Sequence, residues 1–382
     1  MSPTRVYLDH NATTPLDPQA LEAMLPYLRE SFGNPSSLHW FGQRARAAVE
    51  EARAQVAALV GASAPEIVFT SGGSESDNLA LRGAVAKARG TRRRVVTTAI
   101  EHHAVLNTAK ALRDEGHPVE VVGAGADGRI DLDELRSKLD GETLVVSVML
   151  ANNETGVLQP VAEAARLAHE QGALVHCDAV QAAGKTELDV RALDVDLLTL
   201  SAHKLYGPKG AGCLYVRRGT PMAPLVRGGA QERNRRAGTE NVAGIVGFGA
   251  AAVRASASLA QDGPRVAVLR DRLEALLLAI PGARRNGGEP RVPNTANLSF
   301  EGVDAEALVI ALDLEGVAAS TGAACAAGGI EPSHVLKAMG FGPERVQSSL
   351  RLSLGRGTTE DDVSYAAAVI ASAVARQRNK PK

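Results

Sequence analysis

The run Ser201-Ala-His203-Lys204 has residues whose types could do chemistry, and it follows an almost wholly apolar stretch, residues 195–200. A buried strand there would deliver Ser201, His203 and Lys204 to its carboxyl end, where open α/β sheets bind their ligands. Burial disfavours the charged form of a lysine, so Lys204 could react with an aldehyde as a free amine, and Ser201 and His203 could hold a phosphate. On its own, such a run is more often an ordinary strand end.

Polar residues also follow the apolar segments that end at Thr70, Ile100, Leu150 and Asp178. Helical patterns separate these segments, which predicts a mainly parallel sheet whose strand ends lie along one rim. The glycines at 72–73, ahead of a helix predicted over residues 77–89, predict a phosphate-binding helix N-terminus, although an ordinary turn gives the same pattern. We expect the rim to gather Ser74, His102, Asn153, Asp178, Gln181, Ser201, His203 and Lys204.

The three cysteines have different surroundings. Cys325 lies in a run of small residues that cannot form a core, which predicts a mobile and exposed thiol; a filler cysteine is the alternative. Cys213 lies in an apolar strand and is expected to be a small buried residue. The run His176-Cys177-Asp178 does not favour a zinc site, because strand alternation puts Cys177 on the opposite face from the other two. Three scattered cysteines form no disulfide framework, which suits a reducing compartment.

Composition and charge restrict the class of protein. The 382 residues include 38 glycines and 3% aromatic residues, which is typical of an α/β protein. The 42 basic and 43 acidic side chains give a net charge of -1, so no overall field recruits nucleic acid or an anionic membrane. The first ten residues have no signal core, and no apolar run has the length of a transmembrane helix. We therefore expect a cytoplasmic protein with a small-molecule partner.

The order of predicted elements indicates two domains. Strands and helices alternate up to about residue 258, which predicts a large domain of residues 15–258. The later pattern is of the α+β type, and it predicts a small domain of residues 1–14 and 259–382. The boundary lies between a predicted helix that begins at Val242 and another predicted over residues 264–279.

Ten motifs in order, spread over residues 5 to 375, resemble the cysteine desulfurases of the NifS/IscS type. This resemblance implies a class V aminotransferase, an α/β enzyme of pyridoxal-phosphate fold type I with a seven-stranded, mainly parallel sheet. The chain ends soon after its last predicted helix, which favours the NifS-like form. The motifs are residues 7–15, 70–76, 101–103, 152–154, 178–181, 201–204, 236–239, 324–325, 331–336 and 349–356.

The resemblance also implies a cofactor, pyridoxal 5'-phosphate, and a role for each matched residue. Lys204 would hold the cofactor covalently, His102 would stack on its ring, and Asp178 would pair with the ring nitrogen. Gln181 would face the ring hydroxyl with Asn153 close by, and Arg351 would bind the substrate carboxylate together with Asn153. The phosphate would be bound by Gly73, Ser74, Ser201 and His203, with Thr239 reaching in from the second subunit of a homodimer.

The activity implied by the resemblance is removal of sulfur from L-cysteine, which gives L-alanine and a persulfide on Cys325. The catalytic residues would be Lys204, Cys325 and His102, and the sulfur would pass to an iron–sulfur scaffold or another acceptor protein. No dedicated metal site is expected, although Cys325 could ligate a transient iron–sulfur cluster. The alternatives are a selenocysteine lyase or another aminotransferase-like enzyme with the same cofactor, and a non-catalytic module that carries sulfur or iron.

Overall fold

A central seven-stranded sheet organises the first two thirds of the chain. The computed structural model describes residues 5–88, 90–322, 325–326 and 329–379, with the backbone alone described for residues 325–326 and 329–330. The first eight strands are β1 (Val6–Tyr7), β2 (Ile67–Thr70), β3 (Arg94–Thr98), β4 (Val119–Val122), β5 (Thr143–Ser147), β6 (Leu174–Asp178), β7 (Leu197–Ser201) and β8 (Gly212–Val216). Strands β2 to β8 form one sheet in the order β2-β8-β7-β6-β5-β3-β4.

Within this sheet only β8 runs against its neighbours, since it pairs antiparallel with both β2 and β7. The remaining pairs are parallel. Strands β5, β7 and β8 are buried at every position, as expected of a sheet that is covered on both faces. The predicted α/β fold with a mainly parallel seven-stranded sheet is confirmed.

The later strands form smaller sheets. They are β9 (Ala283–Arg285), β10 (Thr295–Phe300), β11 (Val317–Ala318), β12 (Cys325–Ala326), β13 (Gly329–Ile330) and β14 (Ser349–Ser353). Strands β14, β10 and β9 form an antiparallel sheet in that order, β1 pairs in parallel with β11, and β12 pairs with β13. Strand β9 was not predicted, because two of its three residues are exposed arginines with no apolar pattern.

Eleven helices are described, apart from short 3-10 turns and the turn Gln231–Asn234, in which three residues have positive φ. They are α1 (Pro18–Arg29), α2 (Trp40–Leu59), α3 (Gly73–Lys87), α4 (His103–Asp114), α5 (Leu132–Lys138), α6 (Val161–Glu170), α7 (Val242–Leu278), α8 (Ala305–Leu314), α9 (His334–Ala338), α10 (Pro343–Gln347) and α11 (Glu360–Arg378). Helix α3 begins at Gly73, four residues before the predicted start at Asp77. The amide groups of its first turn therefore lie at the sheet rim.

The prediction of two helices around residue 258 was wrong, because α7 is continuous through Pro264. A proline inside a helix removes one backbone hydrogen bond. Here both halves of the helix bury apolar side chains, Phe248 in the core of the large sheet and Leu273 in a second core. Burial on both sides of Pro264 keeps the helix continuous, since packing contributes most of the stability of a helix in a protein.

The second core joins the two ends of the chain. It packs Val6 and Leu8 against Leu273 of α7, Leu352 of β14 and Ile370 of α11. The domain boundary near residue 258 stays a prediction. The packing of residues 6 and 8 on this core explains how the N-terminal segment reaches both the second core and the sheet rim.

Helix α7 is the one described helix that is long and apolar enough to cross a membrane by length and composition. Its most apolar 18-residue window has a mean hydropathy of 1.5, and 56% of that window is buried inside the protein. Core helices of this length pass the same test, so the helix is weak evidence for a membrane span. Its packing against both cores accounts for its composition.

Candidate active site

A cavity of about 520 Å³ opens at the carboxyl ends of the central strands. Residues that the sequence analysis did not single out also line it, among them Asp9, Asn11, Asp77, Glu154 and His334. The predicted site residues that line it are Gly73, Ser74, His102, Asn153, Asp178, Gln181, Ser201, His203, Lys204 and Arg351. The roles assigned to them stay predictions, but the structure brings these ten together.

Lys204 ends a single 3-10 turn that directly follows β7. Its Nζ donates hydrogen bonds to the backbone oxygens of Asn11, at 2.5 Å, and Ala12, at 2.8 Å. Burial and, to a smaller extent, the nearby Arg351 guanidinium lower the pKa of Lys204 to about 8. Roughly a tenth of the amine is therefore unprotonated at neutral pH, which makes it a nucleophile and a base.

Asp178 is the last residue of β6, and its side chain is buried. One carboxylate oxygen accepts a hydrogen bond from the Val180 N–H at 2.9 Å. Among the described residues no arginine, lysine or histidine forms a salt bridge with it. Burial raises the pKa of Asp178 to about 6, so it is still largely ionised at neutral pH. A buried carboxylate without a cation is suited to a cationic group on a ligand.

Two further carboxyl groups lie near Asp178. Glu101 is fully buried, and burial raises its pKa to about 8. The pKa of Asp77 is raised by burial and by the charge of Asp178. Near neutral pH Glu101 therefore keeps its proton, and Asp178 carries a negative charge beside it.

His102 caps the start of α4, where its Nδ1 accepts a hydrogen bond from the Ala104 N–H at 3.2 Å. The ring is exposed on the side that lines the cavity. Burial lowers the pKa of His102 to about 4, with Lys204 and His103 contributing, so the ring is neutral. Because Nδ1 accepts, we assign the proton to Nε2. A neutral flat ring at this position can pack against a flat ligand.

The part of the cavity beside the start of α3 is rich in hydrogen-bond donors. It includes the N-terminus of the 15-residue helix α3, Ser201 and His203. A Cβ atom on Gly73 would lie 3.0 Å from Cγ2 of Val180, so the glycine keeps this end open. His203 Nδ1 pairs with Thr13 Oγ1 at 3.1 Å, and burial lowers the pKa of His203 to about 4. Such a set of donors fits a phosphate group.

Arg351, in β14, reaches the cavity from the second core. Its Nη2 binds Asp9 Oδ1 at 2.7 Å and its Nη1 donates to the backbone oxygen of Asn153 at 3.0 Å. Its Nε and the Oδ1 atom of Asn153 are buried and have no hydrogen-bond partner. Because buried polar atoms normally have partners, these two atoms are suited to a ligand with both an acceptor and a donor, such as an amino acid.

One predicted site residue that the structure describes does not line this cavity. Thr239 lies outside it, on a loop anchored by the pairing of Arg236 Nε with Glu75 Oε1 at 2.8 Å. The side chain of Cys325 lies outside the described residues, so its predicted mobility and exposure are not described. The cavity wall includes Ser320 and Gly322, shortly before Cys325 in the chain. Among the described residues no group of three His, Cys, Asp or Glu could hold a metal ion.

The residues present fit pyridoxal 5'-phosphate. The donors at Gly73 and Ser201 suit its phosphate, the unpaired Asp178 suits its pyridinium nitrogen, and the Lys204 amine suits its aldehyde. The fold and the cavity define a pyridoxal-phosphate-dependent enzyme built on an open α/β sheet.

Known proteins identify the family. The sequence profile of the class V aminotransferases matches residues 6–365. The cysteine desulfurase of Enterobacter agglomerans is 49% identical, over 98% of this chain and 93% of that protein. A solved structure described as a NifS-like protein has a TM-score of 0.92 at 38% identity and covers 98% of this chain and all of the other. Another, described as SspA in complex with cysteine, has a TM-score of 0.82 at 33% identity, covering 93% of this chain and all of the other.

The chain belongs to the class V aminotransferase family, among its cysteine desulfurases of the NifS/IscS type. The resemblance predicted from the motifs is confirmed, as is pyridoxal 5'-phosphate as the cofactor. The alternatives of a selenocysteine lyase, another aminotransferase-like enzyme or a non-catalytic module are not favoured.

Proposed function

We propose that this chain transfers the sulfur of L-cysteine to Cys325, releases L-alanine, and passes the sulfur on for iron–sulfur cluster assembly or another thiolation. The observation that carries the proposal is the cavity itself. Lys204, Asp178, His102 and Arg351 all line it, and so do Ser320 and Gly322, which come shortly before Cys325 in the chain. The solved structure named for its cysteine complex supports the choice of substrate.

Each residue has a task that follows from its surroundings. Pyridoxal phosphate, when bound, supplies a sink for the negative charge that develops on the substrate Cα. Asp178 would supply a negative charge to the ring nitrogen, and Arg351 would bind the substrate carboxylate through its fork of donors. The free amine of Lys204 removes the proton from Cα, since its pKa of about 8 leaves a reactive fraction at neutral pH.

The sulfur step conserves atoms and electrons without an external oxidant. The thiolate of Cys325 attacks the substrate sulfur, a sulfur–sulfur bond forms, and the bond from the substrate sulfur to Cβ breaks. The electron pair of that bond goes to the alanine product, which takes up a proton at Cβ. The net change converts L-cysteine and the Cys325 thiol into L-alanine and a Cys325 persulfide. The outer sulfur of this persulfide can then pass to a second thiol or to an acceptor protein.

The test is a desulfuration assay with two cysteine variants. Purified protein loaded with pyridoxal phosphate is given L-cysteine and a thiol reductant, and alanine and sulfide are measured together. Cys325→Ala should abolish sulfide release while the cofactor absorbance remains. Cys213→Ala is the matched control, because Cys213 is buried in β8 away from the cavity lining. Sulfide release by Cys325→Ala at the wild-type rate would refute the assignment.

We also propose that the enzyme is a homodimer in which Thr239 of one copy binds the phosphate at the site of the other. A role in the site of the other copy would explain why Thr239 lies outside the cavity of its own chain. A mixed dimer of Lys204→Ala and Thr239→Val chains would have one site with both substitutions and one with neither. That dimer should regain wild-type cofactor affinity at one of its two sites. Uniformly weak binding would place Thr239 in its own chain's site, and wild-type cofactor affinity in the Thr239→Val homodimer would place it in neither.

The sulfur acceptor and the cellular location remain proposals. An iron–sulfur scaffold is the acceptor that we propose, and a cytoplasmic location is what the sequence predicts. Loading the enzyme with labelled L-cysteine and adding a scaffold protein should move the label from Cys325 to the scaffold. Label that stays on the enzyme would point to a different acceptor.

A further inference from the structure

Lys185 is a second lysine beside the cavity, and the proposed reaction has no task for it. Its Nζ donates to Gln181 Oε1 at 2.6 Å and to Asn11 Oδ1 at 3.3 Å. Gln181 is buried and lines the cavity, and its Nε2 donates to the Asn11 backbone oxygen at 2.9 Å. Lys185 therefore contacts the cofactor site through another side chain.

The two partners of Gln181 determine which way its amide faces. Lys185 has only donors, so it requires the oxygen of the amide. The Asn11 backbone oxygen is only an acceptor, so it requires the NH2 group. Turning the amide over would place donor against donor and acceptor against acceptor, at a cost of two buried hydrogen bonds. The NH2 group has a second N–H beyond the one given to Asn11, and it is this donor that Gln181 can offer to the cavity.

We propose that Lys185 is a positioning residue that holds Gln181 as a hydrogen-bond donor to the ring oxygen of pyridoxal phosphate. The proposal rests on the proposed function for the identity of the ligand. A donor at this position favours the deprotonated ring oxygen, because a phenolate accepts a stronger hydrogen bond than a hydroxyl group does. Lys185 thus selects the ionisation state of the bound cofactor without touching it.

The charged groups around Lys185 lower its pKa, as burial does. Burial and, to a smaller extent, the charges of Lys204 and Arg351 lower the pKa of Lys185 to about 7. His10 also faces it, and its pKa is lowered by burial and by the Lys185 charge. Even as a neutral amine, Lys185 keeps N–H groups for Gln181 Oε1, and the Asn11 backbone oxygen still requires the NH2 group, so the orientation of the amide persists across neutral pH.

The experiment measures the cofactor rather than turnover. Cofactor-free protein is titrated with pyridoxal phosphate, and the loaded protein is then titrated with acid and base while its visible absorbance is followed. Lys185→Met removes the donor, and Lys185→Gln keeps a donor without the charge. Lys138→Met is the matched control, because Lys138 is a partly buried lysine that binds the Val121 backbone oxygen and Glu134, outside the cavity lining.

Lys185→Met should weaken cofactor binding about ten-fold, the effect of losing a charged hydrogen bond, and should move the absorbance midpoint to higher pH. Lys138→Met should change neither, and Lys185→Gln should lie between wild type and Lys185→Met. In a Gln181→Met background, Lys185→Met should have no further effect on either measurement.

Two results would overturn the proposal: a wild-type midpoint in Lys185→Met, or an equal effect of that change with and without Gln181. If Lys185→Met does not fold, Lys185→Gln carries the same comparison. Sulfide release from L-cysteine by the wild-type enzyme is measured separately. A wild type that binds the cofactor but releases no sulfide would refute the proposed function and leave the role of Lys185 standing.

Discussion

Replacing Glu101 by glutamine should stabilise the protein progressively, relative to wild type, as the pH rises. Glu101 Oε1 accepts hydrogen bonds from Thr98 Oγ1 and from the Met149 N–H, both at 2.8 Å, while Oε2 is buried without a partner. Burial raises the pKa of Glu101 from 4.5 to about 8. Glutamine has nearly the same shape, keeps the accepting oxygen, and cannot ionise.

The sign and size of the effect follow from proton linkage. Between pH 4.5 and about 8 the folded protein keeps a proton on Glu101 that the unfolded chain releases. The stability that this proton provides is complete below pH 4.5 and is lost as the pH rises through about 8. One proton corresponds to about 1.4 kcal/mol per pH unit, so the whole window is worth about 5 kcal/mol. From about pH 5.5 to about pH 7.5, Glu101→Gln should gain roughly 2 to 3 kcal/mol on wild type.

Urea unfolding of the cofactor-free protein, followed by circular dichroism at several pH values, measures this difference. The cofactor is left out because its own binding would change the apparent stability. Glu51→Gln, an exposed substitution on α2, is the control and should run parallel to wild type at all pH values. If Glu101→Gln also runs parallel to wild type, Glu101 is ionised in the folded protein. In that case Glu101 adds a second negative charge beside Asp178.

Three further outcomes are expected at the cavity. Arg351→Lys should raise KM for L-cysteine about 10- to 100-fold in steady-state kinetics with the cofactor absorbance unchanged, because lysine lacks the two-pronged fork. The rate at which cofactor-free protein takes up pyridoxal phosphate should rise about ten-fold from pH 7 to pH 9 in stopped-flow measurements, as Lys204 with its pKa of about 8 loses its proton. Ser201→Ala should weaken equilibrium cofactor binding about ten-fold through loss of a phosphate donor.

The sheet and its rim could be predicted from the sequence because their signals are local. The apolar runs that end at Asp178 and Ser201 specify buried strands, and parallel strands bring their ends together whatever the loops do. The start of α3 was placed too late because glycine and serine have low helix propensity. In the folded protein Gly73 occupies the first turn of α3, where the amide groups need no helical partner and are available to a ligand.

The contacts around Asn11 could not be predicted in this way. Asn11 binds Gln181, Lys185 and Lys204 across 170, 174 and 193 positions of the chain. No hydrophobic period encodes such pairs, and a short polar run before a proline predicts only a turn. The protonation of Glu101 could not be predicted either, because it depends on burial by surrounding elements rather than on neighbours in sequence.

Arg351, the proposed binder of the substrate carboxylate, and Lys204 belong to one hydrogen-bond network, so neither side chain can move without affecting the other. Arg351 donates to the Asn153 backbone oxygen, Asn11 donates to the same atom at 3.1 Å, and Lys204 donates to the backbone oxygen of Asn11. A substrate carboxylate must share Arg351 with Asp9, and the unpaired Nε is the donor that Asp9 leaves free. Binding an amino acid therefore satisfies a buried donor instead of breaking an existing pair, which favours a ligand that reaches Nε over one that only displaces Asp9. Because the same network holds the Lys204 amine, it fixes the position of the base relative to the carboxylate donor on Arg351.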